Sequence, residues 1–416
     1  MLDLRQIRED PQPARDALAR RGVDPALIDE ALELDERRRA LLPELEDLRA
    51  RKNQASKRIG ELQRNGEDAE EAIAETRGLS EREKELEEEL RGVEERRTGV
   101  LLALPNLPDP SAADEDEVLR EVGEAGGTGR NHVELLGDDL DMDRAARVSG
   151  SRFAYLKGPL VRLQLALVQW ALSRVEEHGF TPVIPPVLVR ERALVGTGML
   201  PDTEQQLYRV PEDDLYLVGT SEVPLASLHA DEILAGAELP RRYAGFSPCF
   251  RREAGAAGKD TQGLFRVHQF DKVEMFTFVE PDQSQDEHER LLAIEEEILQ
   301  ALGIPYRVVN IAVTDLGASA SKKYDLEAWL PGQGRFRELT SCSNTTDFQA
   351  RRLEIRFRPA EGEAVRHVHT LNGTAVAVGR TIIAVVENHQ ADDGSVEIPA
   401  VLHEFGAPLR LEPAAR

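Results

Sequence analysis

The segment from Phe246 to Phe276 holds the densest set of side chains that could bind and orient a charged ligand. It reads FSPCFRREAGAAGKDTQGLFRVHQFDKVEMF, which predicts a strand, a glycine-rich loop and a second strand. Side chains alternate between the two faces of a strand. Arg251 and Glu253 therefore lie on one face of the first strand, and His268, Phe270, Lys272 and Glu274 lie on one face of the second. Arginine suits phosphate, an aromatic ring stacks on a base and a carboxylate accepts from an amine, so the set suits a nucleotide. A hairpin held by structural ion pairs is the alternative.

Two further segments carry polar side chains next to predicted elements. LVGTSEVPLASL places Thr220 and Glu222 at a strand-to-helix junction, where they could bind a ligand or form an N-cap with a first-turn acid. RFRELTSCSNTTDFQARR places Glu338 and Ser341 beside a polar loop. Their oxygen atoms are the kind of ligand that Mg²⁺ prefers, and a Ser/Thr/Asn turn is the alternative.

A third segment, HTLNGTAVAVGRTIIAVVENHQ, predicts a strand, a turn at Asn372–Gly373 and a helix that carries Arg380. His367 and His369 alternate along the strand, a pattern more often structural than metal-binding.

Strands and helices must position these segments. Patterning predicts helices over 158–178, 221–234, 283–302 and 375–390, and strands over 215–218, 269–279, 306–313, 324–330, 336–341 and 365–371. Strands in runs with helices set apart indicate an α+β fold with an antiparallel sheet flanked by helices. The sequence contains neither GxGxxG nor GxxxxGK[ST], which disfavours Rossmann and P-loop nucleotide binding.

The first hundred residues follow a different pattern, two runs of heptads separated by Arg64, Asn65 and Gly66. If the helices fold back on each other, core positions pair with a constant sum of residue numbers, as in Leu45 with Leu86 and Leu41 with Leu90. This predicts an antiparallel coiled-coil hairpin over 27–104. Pro43 lies off the hydrophobic seam, and we expect it to bend the first helix because proline cannot complete the helical hydrogen bonding.

A basic stripe lies near the predicted tip of the hairpin. Between Arg49 and Arg64 the only acid is Glu61, so the local charge is +5 in a chain of net charge −25. The stripe could bind a nucleic-acid backbone, or it could be a solvated helix face. For the hairpin as a whole, the alternative is a purely structural or dimerising coiled coil. The stripe consists of Arg49, Arg51, Lys52, Lys57, Arg58 and Arg64.

Composition limits the remaining possibilities. With 416 residues the chain is long enough for two or three domains, and its acidity argues against a basic coat for DNA or an anionic-membrane binder. Two cysteines cannot form a disulfide framework. The sequence has no apolar run of about 18 residues and no signal-like start, so we expect a cytoplasmic protein without a membrane span.

Taken together and in order, these motifs resemble the bacterial-type seryl-tRNA synthetases, which are class II aminoacyl-tRNA synthetases. The resemblance covers nearly the whole chain. It rests on the N-terminal hairpin, GFTPVIPPVLV as motif 1, PCFRREAG…RVHQFDKVEM as motif 2, LNGTAVAVGRTIIAVVEN as motif 3, and the TSE and ELTSCSN loops. It implies a class II antiparallel sheet core with a coiled-coil arm: 1–104 as the tRNA-binding arm, 105–112 as a linker and 113–416 as the catalytic domain.

The resemblance also implies site residues. Implied to bind serine are Thr220, Ser221, Glu222, Arg251, Glu274, Asn372 and Thr374. Implied to bind ATP are Arg251, Arg252, Glu253, Val267, His268, Gln269, Phe270, Glu338, Leu339, Thr340, Ser341 and Arg380. Among these, Arg251, Glu338 and Arg380 would be catalytic, and Glu338 and Ser341 would hold Mg²⁺. The stripe would contact tRNA.

The implied activity is activation of L-serine by ATP, followed by transfer to tRNA(Ser), and to tRNA(Sec) where that tRNA is present. A homodimer is implied by Pro186, which matches the motif 1 proline at the subunit interface. Two rivals stay open: a paralogous ligase that loads a carrier protein, which would be expected to lose or shorten the arm, and a non-catalytic tRNA-binding scaffold, which would not need Arg251, Glu274, Glu338 and Arg380 together.

Overall fold

The computed structural model describes residues 1–201, 206–254 and 263–414. The chain folds into two compact units, one spanning Leu2–Pro105 and the other running from Asn106 onward and including Met1. Most of the glycine-rich loop predicted within the Phe246–Phe276 segment lies outside the described residues.

The N-terminal unit is helical. Two short helices precede two long ones, and the long pair is the predicted hairpin, so that prediction is confirmed. The first long helix ends in Gly66, whose φ of 74° is left-handed and suits glycine. The helices are α1 (Leu4–Glu9), α2 (Gln12–Arg20), α3 (Ala26–Asn65) and α4 (Glu70–Ala103).

The hairpin core follows the predicted heptads. Leu41, Leu45 and Leu48 pack with Leu86 and Leu90 in one apolar cluster. The polar members of the seam are paired across the hairpin: Lys52 contacts Glu83, and Arg38 donates to Glu94 at 2.9 Å. Helix α3 continues through Pro43; the bend expected there stays a prediction.

The second unit is built on an antiparallel sheet. Within the described residues its main sheet has eight strands in the order β1-β11-β12-β13-β16-β10-β9-β4, and only β4 runs parallel to its neighbour. The strands are β1 (Glu117–Val122), β2 (Leu140–Asp141), β3 (Tyr155–Leu156), β4 (Thr181–Val183), β5 (Leu188–Arg190), β6 (Tyr208–Val210), β7 (Leu215–Leu217), β8 (Ile233–Ala235), β9 (Arg241–Phe250), β10 (Gln269–Val279), β11 (Tyr306–Asn310), β12 (Lys322–Leu330), β13 (Arg335–Asn344), β14 (Arg356–Arg358), β15 (Arg366–His367), β16 (His369–Ala377), β17 (Val396–Glu397) and β18 (Arg410–Leu411).

Helices cover one face of this sheet. The helices of the unit are α5 (His132–Leu136), α6 (Met142–Ser149), α7 (Pro159–Glu177), α8 (Glu191–Thr197), α9 (Glu222–Ala226), α10 (Ser284–Ala301), α11 (Phe348–Leu353) and α12 (Val378–Asn388). Strand β10 shows how the faces divide: Val273 and Met275 belong to the large core under α7, α10 and α12, whereas Lys272 and Glu274 point to the opposite face. The predicted α+β fold with an antiparallel sheet is confirmed. In the described residues, we find no helix with both the length and the apolar character needed to cross a bilayer.

Two local predictions were wrong. The helix predicted over 221–234 stops at Ala226, and after a 3₁₀ turn the chain enters β8, because Ile233 pairs with Arg356 of β14. The turn predicted at Asn372–Gly373 is the middle of β16, where Gly373 pairs with Met275 on one side and Cys342 on the other. In both places a long-range strand pairing overrides the local signal.

Candidate active site

A cleft of about 630 Å³ lies over the exposed face of β10, β13 and β16. The cleft brings together side chains from separate segments of the sequence. Its lining residues are Arg251, Glu253, Leu264, Phe265, Arg266, Val267, Phe270, Lys272, Glu338, Leu339, Thr340, Ser341, Thr374, Ala377, Gly379 and Arg380. A neighbouring pocket shares Arg251, Glu253, Arg266, Glu338 and Arg380 and extends the cleft to Thr220.

Arginines and aromatic rings form the outer wall of the cleft. The guanidinium carbon of Arg337 lies 3.7 Å from the ring centre of Phe265, and that of Arg380 lies 4.7 Å from the same ring. Deeper in the cleft, Arg251 lies 5.3 Å from the ring centre of Phe270. A guanidinium held over an aromatic ring can still donate from its edge, so Arg251 and Arg380 are placed to bind an anion. The wall therefore suits a phosphate chain next to an aromatic base.

Each of the two predicted catalytic arginines is held by a backbone carbonyl. Arg251 Nε donates to the carbonyl of Gly219 at 3.1 Å, and Arg380 Nη1 donates to the carbonyl of Glu338 at 3.0 Å. Such bonds orient a guanidinium without neutralising it. Arg251 therefore presents its charge to a bound anion, whereas Arg380 also lies 3.4 Å from the Glu338 carboxylate.

Glu338 faces Arg380 across the cleft, with 3.4 Å between Oε2 and Nη1. Its side chain is half exposed, toward the open cleft, although protein atoms surround it. The loss of surrounding water would raise the pKa of this carboxyl, but the charges of Arg380, Lys323 and Arg251 outweigh that effect and lower it. Glu338 is therefore an anion at neutral pH.

The donor set at Glu338 fits Mg²⁺. Ser341 is on the same strand, lines the same cleft and pairs in the sheet with Asp325 of β12. Carboxylate and hydroxyl oxygens are hard donors, and Mg²⁺ commonly takes one or two carboxylates with substrate phosphates and water completing its shell. Burial raises the pKa of Asp325 to about 7, and Lys323 partly opposes that rise.

The floor of the cleft is polar and buried. Lys272 forms an ion pair with Glu274, and both side chains are at least nine-tenths buried. Thr374 Oγ1 donates to Glu274 Oε2 at 3.3 Å from the neighbouring strand β16. Asn372 is buried on the same face of β16, two residues away. Lys272 and Thr374 line the cleft, and the Glu274 carboxylate and the Asn372 amide are buried beneath them.

A second buried carboxylate, Glu222, begins helix α9. Its backbone N–H donates to Thr220 Oγ1 at 3.2 Å, and the preceding Ser221 donates to the carbonyl of Gly245 at 3.2 Å. Burial, together with the negative charge of Glu274, raises the pKa of Glu222 to about 7. A carboxylate so poorly solvated is stabilised by any cation that enters the site.

Some residues implied by the resemblance lie at the edge of this arrangement. Arg252 is exposed, and Gln269 lines an adjoining pocket rather than the main cleft. The ring of His268 packs 5.2 Å from that of Phe153, and its Nδ1 contacts the carbonyl of Arg251. Glu253 pairs with Arg266 at the rim. The binding roles of these residues remain predictions.

Sequence reasoning missed four residues that complete the cleft or its support. Lys272 shares a strand face with Phe270 and Glu274, a signal that was visible, but no role followed from it. Phe265 and Arg337 meet only because the sheet brings β13 beside the end of the loop before β10. Gln349, on α11, donates to Glu222 at 2.7 Å, and no local pattern indicates that contact.

Comparisons with known proteins agree with this geometry. The family model of the seryl-tRNA synthetase N-terminal domain matches residues 1–108, and that of the tRNA synthetase class II core domain (G, H, P, S and T) matches residues 206–389. A serine--tRNA ligase of Streptomyces coelicolor is 49% identical over the full length of both chains. The chain belongs to the seryl-tRNA synthetase family.

Solved structures of the seryl-tRNA synthetase family match over the whole chain. The seryl-tRNA synthetase of Pyrococcus horikoshii, crystallised with ATP, has a TM-score of 0.93 at 44% identity, with all of both chains covered. The cytoplasmic serine-tRNA ligase of Naegleria fowleri, in complex with AMP, has a TM-score of 0.88 at 34% identity, covering 100% of this chain and 99% of the other. The resemblance stated from the motifs is confirmed.

Proposed function

We propose that this chain activates L-serine with ATP to give seryl-adenylate and pyrophosphate, and then transfers serine to the 3′ end of tRNA(Ser), and to tRNA(Sec) where that tRNA is present. The observation that carries this function is the cleft itself. It places Arg251, Glu338 and Arg380, which come from three separate segments, around one cavity that reaches Thr220 and Thr374. The Streptomyces coelicolor relative that matches over its full length is also a serine--tRNA ligase.

Serine binds at the floor of the cleft. Thr220 and Glu222 take the ammonium group, while Glu274 and Thr374 hydrogen-bond the side-chain hydroxyl, with Asn372 and Ser221 completing the pocket. Alanine would leave the polar groups of Glu274 and Thr374 unpaired in a buried site, at a cost of about 1–3 kcal/mol per group. The pocket therefore selects for the hydroxyl.

ATP binds across the outer wall. Phe270 stacks on the adenine, next to Glu253, Val267, His268 and Gln269, and Arg380 binds the γ-phosphate. Arg251 bridges the serine carboxylate and the α-phosphate. Arg252, Leu339 and Thr340 belong to the same ATP site.

In the first step a serine carboxylate oxygen attacks the α-phosphorus. The new P–O bond forms as the bond to pyrophosphate breaks, so no side chain of the protein acts as nucleophile. The catalytic contribution is to align two anions that repel each other and to neutralise the charge that grows on pyrophosphate, which Arg251 and Arg380 do. Glu338 and Ser341 would hold Mg²⁺, which supplies positive charge to the phosphates.

In the second step the terminal ribose hydroxyl of the tRNA attacks the seryl carbonyl and AMP leaves. The tRNA-binding arm would be residues 1–104, joined by 105–112 to the catalytic domain over 113–416. Of the six stripe residues, Arg49 and Lys52 are ion-paired with acids of α4. The remaining four, all exposed on α3, would make the contacts with phosphate: Arg51, Lys57, Arg58 and Arg64.

The proposal includes a homodimer working in the cytoplasm, where tRNA is used. Motif 1 supports the dimer: Pro186 is exposed between β4 and β5, and close by Ile184 is 85% exposed. The motif 1 segment is therefore accessible to a partner subunit.

The test is ATP–pyrophosphate exchange with each amino acid in turn. We expect exchange that depends on serine and Mg²⁺ and is abolished by Arg251→Ala or Arg380→Ala. Arg209→Ala is a matched control, because Arg209 is an exposed arginine paired with Asp214 away from the cleft. Exchange with another amino acid but not with serine would overturn the assignment.

The rival ligase that loads a carrier protein is separated by the second step. Exchange without charging of a tRNA(Ser) transcript would favour the rival. The full-length hairpin with its exposed basic residues favours the tRNA reaction.

A further inference from the structure

Gln349 is fully buried on α11 and touches the carboxylate assigned to the serine ammonium group. Its Nε2 donates to Glu222 Oε1 at 2.7 Å and to the carbonyl of Thr197 at 3.3 Å. Gln349 and Glu222 both lie behind the pocket lining, which Thr220 and Val223 form at this point, so Gln349 would act on the substrate only through Glu222. Gln349 follows Glu338 and Ser341 in the segment RFRELTSCSNTTDFQARR, but no binding role was predicted for it.

The orientation of the Gln349 amide is fixed by its surroundings. The carbonyl of Thr197 can only accept, so the NH₂ group must face Thr197 and Glu222. The amide oxygen points the other way and accepts from Thr370 Oγ1 at 2.9 Å. The single hydroxyl proton of Thr345 goes either to Thr370 Oγ1, at 2.6 Å, or to the Thr370 carbonyl, at 2.7 Å. In both cases the Thr370 hydroxyl donates to the amide oxygen and keeps the donor end of Gln349 aimed at Glu222.

We propose that Gln349, held by Thr370, is a positioning residue that keeps Glu222 oriented and ionised, and so sets the preference of the site for an α-amino acid over its α-hydroxy analogue. The inference rests on the proposed role of Glu222. A carboxylate that accepts from Gln349 at one oxygen keeps the other free for the ammonium group. A protonated Glu222 would offer a neutral group that distinguishes poorly between ammonium and hydroxyl.

Glu222 needs such a donor because its other neighbours have opposite effects on its ionisation. Burial and Glu274 favour the protonated form, whereas Lys272, Arg251 and the Gln349 hydrogen bond favour the anion. Lys272 is itself paired with Glu274. Removing the Gln349 donor therefore raises the pKa of Glu222 further, so that more of the enzyme would carry a neutral Glu222 at about pH 7.

The first variant is Gln349→Met, which keeps the length of the side chain and removes the donor. We expect KM for serine to rise about ten-fold to a hundred-fold near pH 7, the range for a lost hydrogen bond to a buried charge. KM for ATP should stay within about two-fold. Because the loss acts through protonation of Glu222, the serine KM should recover as the pH rises toward about 9. A merely structural defect would raise both KM values or lower kcat at every pH.

A second pair of variants tests the support without changing Gln349. Thr370→Val removes the hydroxyl and keeps the shape, so it should raise the serine KM in the same pH-dependent way, whereas Thr370→Ser retains the hydroxyl and should restore it. Thr277→Val is the matched control: Thr277 is a buried threonine on the adjacent strand β10 whose hydroxyl has no partner among the described residues. It should leave the serine KM unchanged.

Serine-dependent ATP–pyrophosphate exchange is measured from about pH 6 to about pH 9. Thermal melting shows whether each variant folds. Glycerate, the α-hydroxy analogue of serine, is added as a competitor. The inference requires glycerate to compete better in Gln349→Met than in wild type. An unchanged serine KM in folded Gln349→Met and Thr370→Val, with active wild type, would overturn the inference and leave the proposed function standing. No serine-dependent exchange in wild type would overturn the proposed function itself.

Discussion

Glu295 is a fully buried acid beneath the floor of the cleft. It lies on α10, and among the described residues neither of its carboxyl oxygens has a hydrogen bond of normal geometry. The Thr340 hydroxyl and the backbone N–H of Thr374 act to lower the pKa of Glu295, but burial outweighs them. Burial raises the pKa of Glu295 well above its ordinary value, with Glu274 and Asp325 adding to the rise. Glu295 is therefore held in the neutral form by folding.

Glu295→Gln should stabilise the protein, and more so at high pH. The unfolded acid ionises at its ordinary pKa, whereas the folded acid keeps its proton, so the wild-type stability falls as the pH rises from the unfolded toward the folded pKa. Glutamine has no proton to retain, and we expect a gain of about 1 kcal/mol or more at pH 8 that shrinks toward pH 4.5. Urea unfolding at both pH values measures it.

The exposed Asp286 on the same helix supplies the control for this prediction. Asp286→Asn removes a carboxylate of ordinary solvation and should give no such gain. Equal effects of Glu295→Gln at both pH values would show that Glu295 is not held neutral.

Gly373 shows why one residue-scale prediction failed. Asn-Gly is a strong turn signal, yet a side chain at Gly373 would start 2.9 Å from Glu295 Oε1 and 3.2 Å from Cys342 Cβ. The glycine is needed for close packing between β16, β13 and α10, not for a turn. Nothing in the local sequence distinguishes these two uses of glycine.

Helices and strands whose residues follow a regular hydrophobic period were predicted correctly from the sequence. Heptads predicted α3 and α4 to within a few residues, and the hydrophobic pattern predicted β10 from Gln269 to Val279. The Ile233 strand was missed because its partner β14 is more than a hundred residues away. The motifs predicted Arg251, Glu338 and Arg380, which line one cleft, but Gln349 supports Glu222 through a tertiary contact that no spacing encodes.

The structure identifies the residues of the basic stripe that are available to contact tRNA. Arg51, Lys57 and Arg58 are exposed and have no ion pair within the described residues, unlike Arg49 and Lys52. Changing the three to glutamate should raise KM for tRNA(Ser) while leaving ATP–pyrophosphate exchange unchanged, because exchange needs no tRNA. Each lost phosphate contact should also lower the salt dependence of binding by about one counterion. Charging kinetics over a series of salt concentrations measure both effects.

The control for the stripe makes the same charge change on the other helix of the hairpin. Lys84, Arg91 and Arg96 are exposed on α4; replacing them with glutamate alters the net charge equally. If both triple variants weaken charging alike, the effect comes from total charge and the stripe is not a contact. If the stripe variant loses exchange as well, it acts through the fold.

The whole molecule carries a net charge of −25, and this bears on how it selects a nucleic acid. An acidic surface repels phosphate at distances up to a Debye length, about 8–10 Å near physiological salt. We therefore expect productive contact with tRNA only where basic side chains are exposed together, such as the stripe and the arginines of the cleft. Elsewhere on the surface, the acidic side chains repel the phosphates of a nucleic acid and weaken any complex that does not contact these basic residues.

This restriction predicts resistance to bulk nucleic acid. Adding DNA in large mass excess should leave the rate of tRNA(Ser) charging nearly unchanged at physiological salt, because non-specific binding depends on neutralising many phosphates at once and the acidic surface offers few sites for it. A variant in which four exposed acids outside the stripe and the cleft lining, Glu121, Glu124, Asp143 and Glu212, are changed to lysine should become sensitive to DNA while retaining exchange. Strong inhibition of the wild type by DNA would show that the acidic surface does not prevent non-specific binding, and would contradict this prediction.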